Sequence, residues 1–519
     1  MDTVFSRTLT STPRLFRRSY VIATDERVLL GILAGISLLV AGTFVATGGN
    51  LVVVSAVVFA IAIIFLSFYR VDCAFFVFIG MVLLFDQFIV VPFGDPLTDS
   101  VRYFDNLKQN PILPTFSAGV MNPLEIQLAL MLFGMFLSIS TRKSITVQSV
   151  PSWGLAVLFL LALMYSLAYG LGSNGDFLPA LWEIRALFYF LLLYFLVPQI
   201  IQTKEQINIL LWIIISVIAV KDFQGATRYA QLGFQFNGNL CLTNHEDPVF
   251  TTDLFVLLIG WAVLGVRSRQ RTFMVLLLPI LLVGFYAGQR RAAYAGFLAC
   301  IVVLVIIMKQ HDRRKFLRIL VPCLIFAGCY TAVFWNSDGR LGSPVQMLKS
   351  GFFEDKEDDG SHYTSNLYRK FERYDLASTV QNSPIFGTGF GKKYDQPIPL
   401  VPIPFPLRDW IPHDEILWLV VKTGGVGFFV FCLFIDGLLF EASSISAGLS
   451  DPFLQALCFF VGAAIVNQLV VSYFDLQLTF YRNMIFLGTL CGLLPTIRLL
   501  GQKHDDQPPT QVVQTGPAA

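Results

Sequence analysis

The sequence predicts an all-α bundle of transmembrane helices carrying one large extracytoplasmic loop subdomain. Three observations predict it. Hydrophobic residues make up 55% of the 519-residue chain and charged residues only 14%, where a soluble domain carries about 25% charge. Mean hydropathy is +0.65. Apolar stretches recur that meet the requirement of about 20 residues per bilayer crossing. The net charge of +2 gives no reason to expect a nucleic-acid partner. The 8 cysteines form no CxxC pair, and all but Cys241 lie in or beside apolar stretches. They read as small apolar residues and not as a disulfide framework.

Taken in order, residues 1–27 form a cytoplasmic tail with Arg14, Arg17 and Arg18, followed by a first helix. That helix is expected to be retained, because no small-residue cleavage site follows it. About 12 to 14 spans are expected in all. They centre near Leu38, Ala60, Leu83, Met131, Leu161, Leu191, Ile214, Leu258, Leu281, Val303, Ile325, Phe428, Gly462 and Leu487. The spans divide into an N-terminal transmembrane region, 28–275, and a second region, 276–500, that holds the motifs below. Within the second region, the loop 336–412 is mixed in charge and contains aromatic residues, which suits a folded subdomain better than a linker. Residues 501–519, rich in Pro, Gln and Thr, read as a disordered cytoplasmic tail.

Lysine and arginine in short loops set orientation. With the N-terminus inside, the inner segments hold Arg70, Arg142 and Lys143, Lys204, Arg267, Arg269 and Arg271, and Arg313, Arg314, Lys315 and Arg318. The outer loops near 49 and 175 hold almost none. Arg290 and Arg291 break the pattern, because they fall outside in a turn of a few residues. Arginine at that depth is costly unless something pairs with it. Glu183, Arg185, Arg228 and the run Asn244-His245-Glu246-Asp247 also fall on the outer side.

These charges suggest chemistry at a lipid–water boundary. His413 follows Ile411-Pro412 and precedes Asp414-Glu415, the mark of a helix start. The positive end of that helix faces the outer boundary, where an anion is favoured, and an imidazole there can take a proton from a hydroxyl. Arg290 and Arg291 can clamp a pyrophosphate, since guanidinium binds phosphate bidentately and stays charged. The bland alternatives are an interfacial histidine beside a cap and arginines reaching headgroups. The segment Ser383 to Gly391 lacks the strand–helix context of a nucleotide loop and reads as a tight turn. The run Glu354 to Asp359 reads as a solvated loop tip. Asp86, Asp253 and Asn467 fall within apolar spans. Helix–helix hydrogen bonding is expected of Asn467, and the acids are functional candidates without an assigned role.

His413-Asp414-Glu415-Ile416-Leu417, continuing to Thr423-Gly424-Gly425-Val426-Gly427, resembles the His-Asn-x-x-Leu … Thr-Gly-x-x-Gly signature of the bacterial O-antigen ligase and polymerase family. Pro384-Ile385-Phe386-Gly387-Thr388-Gly389 resembles that family's Pro-Leu-Leu-Gly-x-Gly, Gly288-Gln289-Arg290 its Gly-Ser-Arg turn, and Arg369 a recurrent arginine. The resemblance covers about Leu277 to Leu490. Asp414, Gln289 and Lys422 depart from the usual Asn, Ser and Glu.

The resemblance implies a glycosyltransferase of the bacterial inner membrane with its site facing outward. The donor would be a glycan on undecaprenyl pyrophosphate. The acceptor would be a sugar hydroxyl, on another lipid-linked repeat for a polymerase or on lipid A core for a ligase. The extra spans in the first half lean toward a polymerase. His413 and Arg290 are then the catalytic candidates, with Arg291, Arg185, Arg369, Asp414, Gly387 and Gly389 binding substrate. No cofactor is expected. The first outer loop, Thr47-Gly48-Gly49-Asn50, lacks an acid pair, so no metal is expected either. Membrane lipids, a flippase and a chain-length regulator are the further expected partners. A transporter of lipid-linked glycan and a non-catalytic export component are the rival readings.

Overall fold

The structure is a computed structural model that describes residues 26–88, 98, 101–107, 120–141, 148–236, 241–337, 339, 341–352, 360–403 and 405–505. Arg14, Arg17, Arg18, Arg142, Lys143, the acidic run 354–359 and the tail from 506 lie outside the described residues. Among the described residues the regular elements are all helical: α1 (Glu26–Ala46), α2 (Leu51–Tyr69), α3 (Val71–Leu84), α4 (Pro123–Thr141), α5 (Trp153–Gly172), α6 (Phe177–Ile200), α7 (Lys204–Gln231), α8 (Asp247–Val263) and α9 (Arg269–Ala287). They continue with α10 (Arg291–Ile307), α11 (Gln310–Val333), α12 (Ser343–Phe352), α13 (Gly360–Asn382), α14 (Glu415–Gly448), α15 (Pro452–Phe474), α16 (Tyr481–Gly492) and α17 (Leu494–Asp505). The chain is an all-α polytopic membrane protein. Among the described residues 9 helices are long and apolar enough to cross a bilayer, and α1, α2, α3 and α10 supply shorter apolar helices. Every expected span centre falls on a helix. Asp86, expected inside the third span, lies beyond the end of α3 at Leu84, with its N–H 3.3 Å from the carbonyl of Thr98.

Packing divides the chain into two compact units. The first comprises Met1–Gln87, Asp95–Val147 and Lys204–Ile214; the second comprises Phe88–Gly94, Gln148–Thr203 and Ile215–Ala519. In the first, α4 crosses α2 at Gly134, where a Cβ would fall 2.0 Å from the carbonyl oxygen of Ser67. In the second, α16 lies on α6 through Gly488 and Gly492. A Cβ on Gly488 would meet the Phe190 carbonyl at 2.6 Å, and one on Gly492 would meet Val197 Cβ at 2.8 Å. Small residues four apart let two helix backbones approach where lipid supplies no hydrophobic drive. Helix α15 is buried along most of its length and packs on α8, α10 and α14. Its Asn467 donates 2.8 Å to Asp253 and 3.1 Å to the Val249 carbonyl of α8, the interhelical bonding expected of it.

Helix α14 is interrupted. Gly424 adopts φ 67° and ψ −178°, which breaks the helical hydrogen-bond ladder. A broken ladder inside a membrane protein must be satisfied by protein, and the segment after α13 satisfies it. The N–H groups of Thr388 and Gly389 donate to the carbonyls of Val421 and Lys422, while those of Gly425 and Val426 donate to Pro384 and Ile385. Gly387 (φ +71°) and Gly389 (φ +83°) make the seam possible. A Cβ on either would come within 2.5 Å of Val421 O or 2.4 Å of Gly170 Cα. An ion pair braces it, with Lys422 Nζ 2.8 Å from Glu183 and both side chains fully buried. Glu183 also accepts from the Gly391 N–H at 2.6 Å.

Candidate active site

The site is assembled from chain ends that buried polar groups hold still. Asp414 caps α14, accepting from the Leu417 N–H at 3.1 Å. Glu415 is fully buried and accepts the N–H groups of Gln477, Leu478 and Thr479 together with the Thr479 hydroxyl. The start of α14 is thereby tied to the turn between α15 and α16, which begins at Asp475. The loop before α8 is anchored by Arg482 of α16, fully buried and 2.8 Å from Asp247, and by Arg228, which donates 2.8 Å to the Leu242 carbonyl. Arg290 is the residue that precedes α10. It follows Gln289, whose φ of 49° makes the turn tight.

These ends converge on one carboxylate. Asp475 Oδ2 lies 3.1 Å from Arg290 Nη1 and 3.3 Å from His245 Nδ1. Arg369 of α13 acts electrostatically on the same carboxylate, and His413 acts on His245. Burial opposes the charge on Asp475, but His245 and Arg290 beside it hold its carboxyl well below the usual range. Beside this cluster, His413 makes a dyad with Glu372. Its backbone N–H donates to Oε2 at 3.0 Å, and its Nδ1 lies 3.2 Å from the same oxygen. Tyr368 packs edge-on to the imidazole at 5.6 Å. Arg373 pairs with Asp414 at 3.0 Å and sits 4.3 Å over the ring of Tyr473, while Arg291 donates 3.1 Å to Asn366. Asn366, Arg369, Glu372 and Arg373 recur at helical spacing, so α13 brings one polar stripe to the site. Burial raises the Asp414 carboxyl pKa, against the pull of the Leu417 N–H and of Arg373.

The Nε atoms of Arg290 and Arg369 are buried with no hydrogen-bond partner among the described residues. A buried charged donor left unmet costs more than the roughly 1–3 kcal/mol of a neutral one. An anion with several acceptor oxygens is the ligand such groups suit. Below the site, a cavity of about 380 Å³ opens between α14 and α15, lined by Ile416, Phe431, Val470, Tyr473 and Phe474 among others. Among the described residues no three His, Cys, Asp or Glu side chains are placed to hold a metal ion.

The structure therefore brings together His413, Arg290 and Arg369, with Arg291 tied to the α13 stripe. It places Asp414 in the helix cap and in a pair with Arg373. Gly387 and Gly389 lie buried in the seam, enclosed by backbone of α5 and α14. Arg185 is buried on α6 at 4% exposure. Glu372, Asp475 and Arg373 were not singled out in the sequence, and His245 was read only as part of a charged loop. The signal available for Glu372 was its place one helical turn after Arg369.

Residues 255–432 match the family model described as O-antigen ligase, so the resemblance read from the histidine, arginine and glycine motifs holds over that stretch. No curated protein matches the chain. A solved structure, described as "Structural coordination of polymerization and crosslinking by a peptidoglycan synthase complex", is similar at 16% identity and a TM-score of 0.38. The similarity covers 68% of this chain and 98% of that one.

Proposed function

We propose that the protein is a membrane glycosyltransferase that moves a glycan from an undecaprenyl-pyrophosphate donor to a sugar hydroxyl at the outer face of the bacterial inner membrane. Extension of a polysaccharide is the favoured reaction, and ligation to lipid A core is the alternative. The observation that carries the reading is the pair of buried, unmatched arginine donors, Arg290 and Arg369, beside a carboxylate-backed histidine. The family match over 255–432 supports the reaction class. The apolar cavity beside Tyr473 suits the prenyl chain.

In this reaction the acceptor oxygen attacks the anomeric carbon as the bond from that carbon to the pyrophosphate oxygen breaks. Glu372 fixes His413 through Nδ1, which leaves Nε2 to receive the acceptor proton. A sugar hydroxyl is too weak an acid to ionise beforehand, so proton transfer accompanies attack. The bond electrons go to the pyrophosphate. Arg290 and Arg369 stabilise that charge, and one preorganised donor can contribute about 3 kcal/mol. Arg291 and Arg185 are supporting cations, and Asp414 and Arg373 hold the α14 end in place. This charge stabilisation requires no metal, so turnover is expected to continue in EDTA.

Purified protein supplied with a lipid-linked repeat unit tests the assignment. A ladder of products identifies a polymerase, and transfer only on addition of lipid A core identifies a ligase. No transfer in either case overturns the reading in favour of transport or scaffolding.

A further inference from the structure

Sugar transfer as proposed needs one imidazole, and the site holds two. His245 has its Nδ1 buried against Asp475 at 3.3 Å, yet its side chain is 39% exposed, so the open edge is the Nε2 side. Phe480, just before α16, packs its ring at 6.1 Å. The charged groups around it come from every neighbouring element. Arg290 faces it from the start of α10, Asp475 from the end of α15 and His413 from the start of α14. Arg369 of α13 acts on the shared Asp475. In its own loop Glu246 and Asp247 are engaged by Arg482 of α16, and Asp247 also by Lys221 of α7 at 3.8 Å.

We propose that His245 is a ligand of the donor pyrophosphate and takes up a proton as that anion arrives. The inference rests on the donor site proposed above and assigns it a further phosphate-facing cation. The charge balance favours it. Arg290, Arg291, Arg369 and Arg373 against Asp414, Asp475 and Glu372 leave a single net positive charge, whereas a disubstituted pyrophosphate brings a second negative one. Without an anion, burial and the adjacent Arg290 hold the His245 pKa below its ordinary value, against the pull of Asp475. An anion that engages Arg290 removes that opposition, while the Asp475 carboxylate 3.3 Å from Nδ1 continues to favour the charged ring. The protonated ring then offers Nε2–H to a phosphate oxygen as a charge-assisted bond. Donor affinity should accordingly weaken as pH rises.

The test is calorimetry on the full chain in detergent, titrated with farnesyl pyrophosphate and no divalent ion, in buffers of different ionisation heat. At about pH 7 the terminal phosphate, with its second pKa near 6, is mostly ionised already. Wild type should bind a large part of about one proton per ligand. His245→Gln should bind about tenfold more weakly with uptake near zero, and Asp475→Asn should lose uptake as well. His413→Ala should keep it. Unchanged uptake in His245→Gln, or none in a wild type that binds the ligand, overturns the assignment of the proton. If wild type does not bind, or Arg290→Ala does not weaken binding, the anion site itself falls and takes this inference with it.

Discussion

At the scale of single residues, the two carboxylate–imidazole contacts do different work. Glu372 holds His413 by backbone and ring together, so in the proposed reaction it would set which nitrogen faces the acceptor. His413→Ala should lower turnover by about 10²–10⁴-fold, the usual contribution of a positioned base. Glu372→Gln should lower kcat at least about tenfold with little change in donor KM, because it disturbs the ring and not the arginines. Steady-state kinetics on both variants decide this, and a wild-type kcat in Glu372→Gln would remove the dyad from the mechanism. Arg290→Lys should also fail, since an ammonium cannot reproduce the forked geometry. Asp475 governs acid tolerance. Its carboxyl is depressed in the folded state, so the stability it contributes is present above the unfolded pKa of about 3.9 and is lost as pH falls through the lower folded value. The melting gap between wild type and Asp475→Asn should therefore persist from about pH 8 to 5, widening where His245 loses its Asp475 partner, and close only below about 4. A gap that closes between pH 7 and 5 would mean that the carboxyl is not depressed.

At the scale of elements, the seam in α14 is the feature most exposed to mutation. Gly424→Ala places a Cβ 2.2 Å from the Ile385 carbonyl at a φ of 67°, so it should cost several kcal/mol and lower the yield of folded protein, as measured by detergent-extracted size-exclusion recovery. Full recovery and full activity would show that the break is not needed. The sequence made the glycines of this seam visible and left their pairing hidden. Backbone donors and acceptors carry no side-chain periodicity, so nothing in Pro384-to-Gly389 points to the carbonyls of Val421 and Lys422. The spans were legible for the opposite reason, because apolar length is the signal itself and each expected centre falls on a helix. The end of α3 was not legible: Asp86 continues an apolar run past the helix, and hydropathy does not mark where a helix stops. The stripe on α13 was hidden too. In a helix whose polar residues outnumber its few apolar ones, Leu376 and Val380 among them, Glu372 and Arg373 stand out little, and only the fold shows which face meets His413.

At the scale of the whole molecule, the geometry demands a definite sidedness. Helix α9 runs from the basic segment at Arg267, Arg269 and Arg271, the last two in its first turn, to the turn that carries Arg290. Its 19 residues extend about 28 Å at 1.5 Å per residue, close to the roughly 30 Å of the hydrocarbon core. The basic segment and the site must then lie at opposite boundaries, and the proposed reaction, together with the positive-inside rule, expects the basic segment at the cytoplasmic one. The segment around Arg408 belongs to the site end, because Leu407 and Ile411 pack with Leu476 and Phe480. Single cysteines at Arg408 and Arg267, in a background where the native cysteines are replaced, turn this into a measurement. A membrane-impermeant maleimide should label Arg408→Cys in intact spheroplasts and reach Arg267→Cys only after the membrane is opened. Arginine pairs at the cytoplasmic face would meet a donor before its export, and no lipid-linked glycan already carried outward could reach His413. Labelling of both positions from the same side, or of Arg267→Cys alone in intact cells, therefore removes extracytoplasmic sugar transfer as a function of this fold.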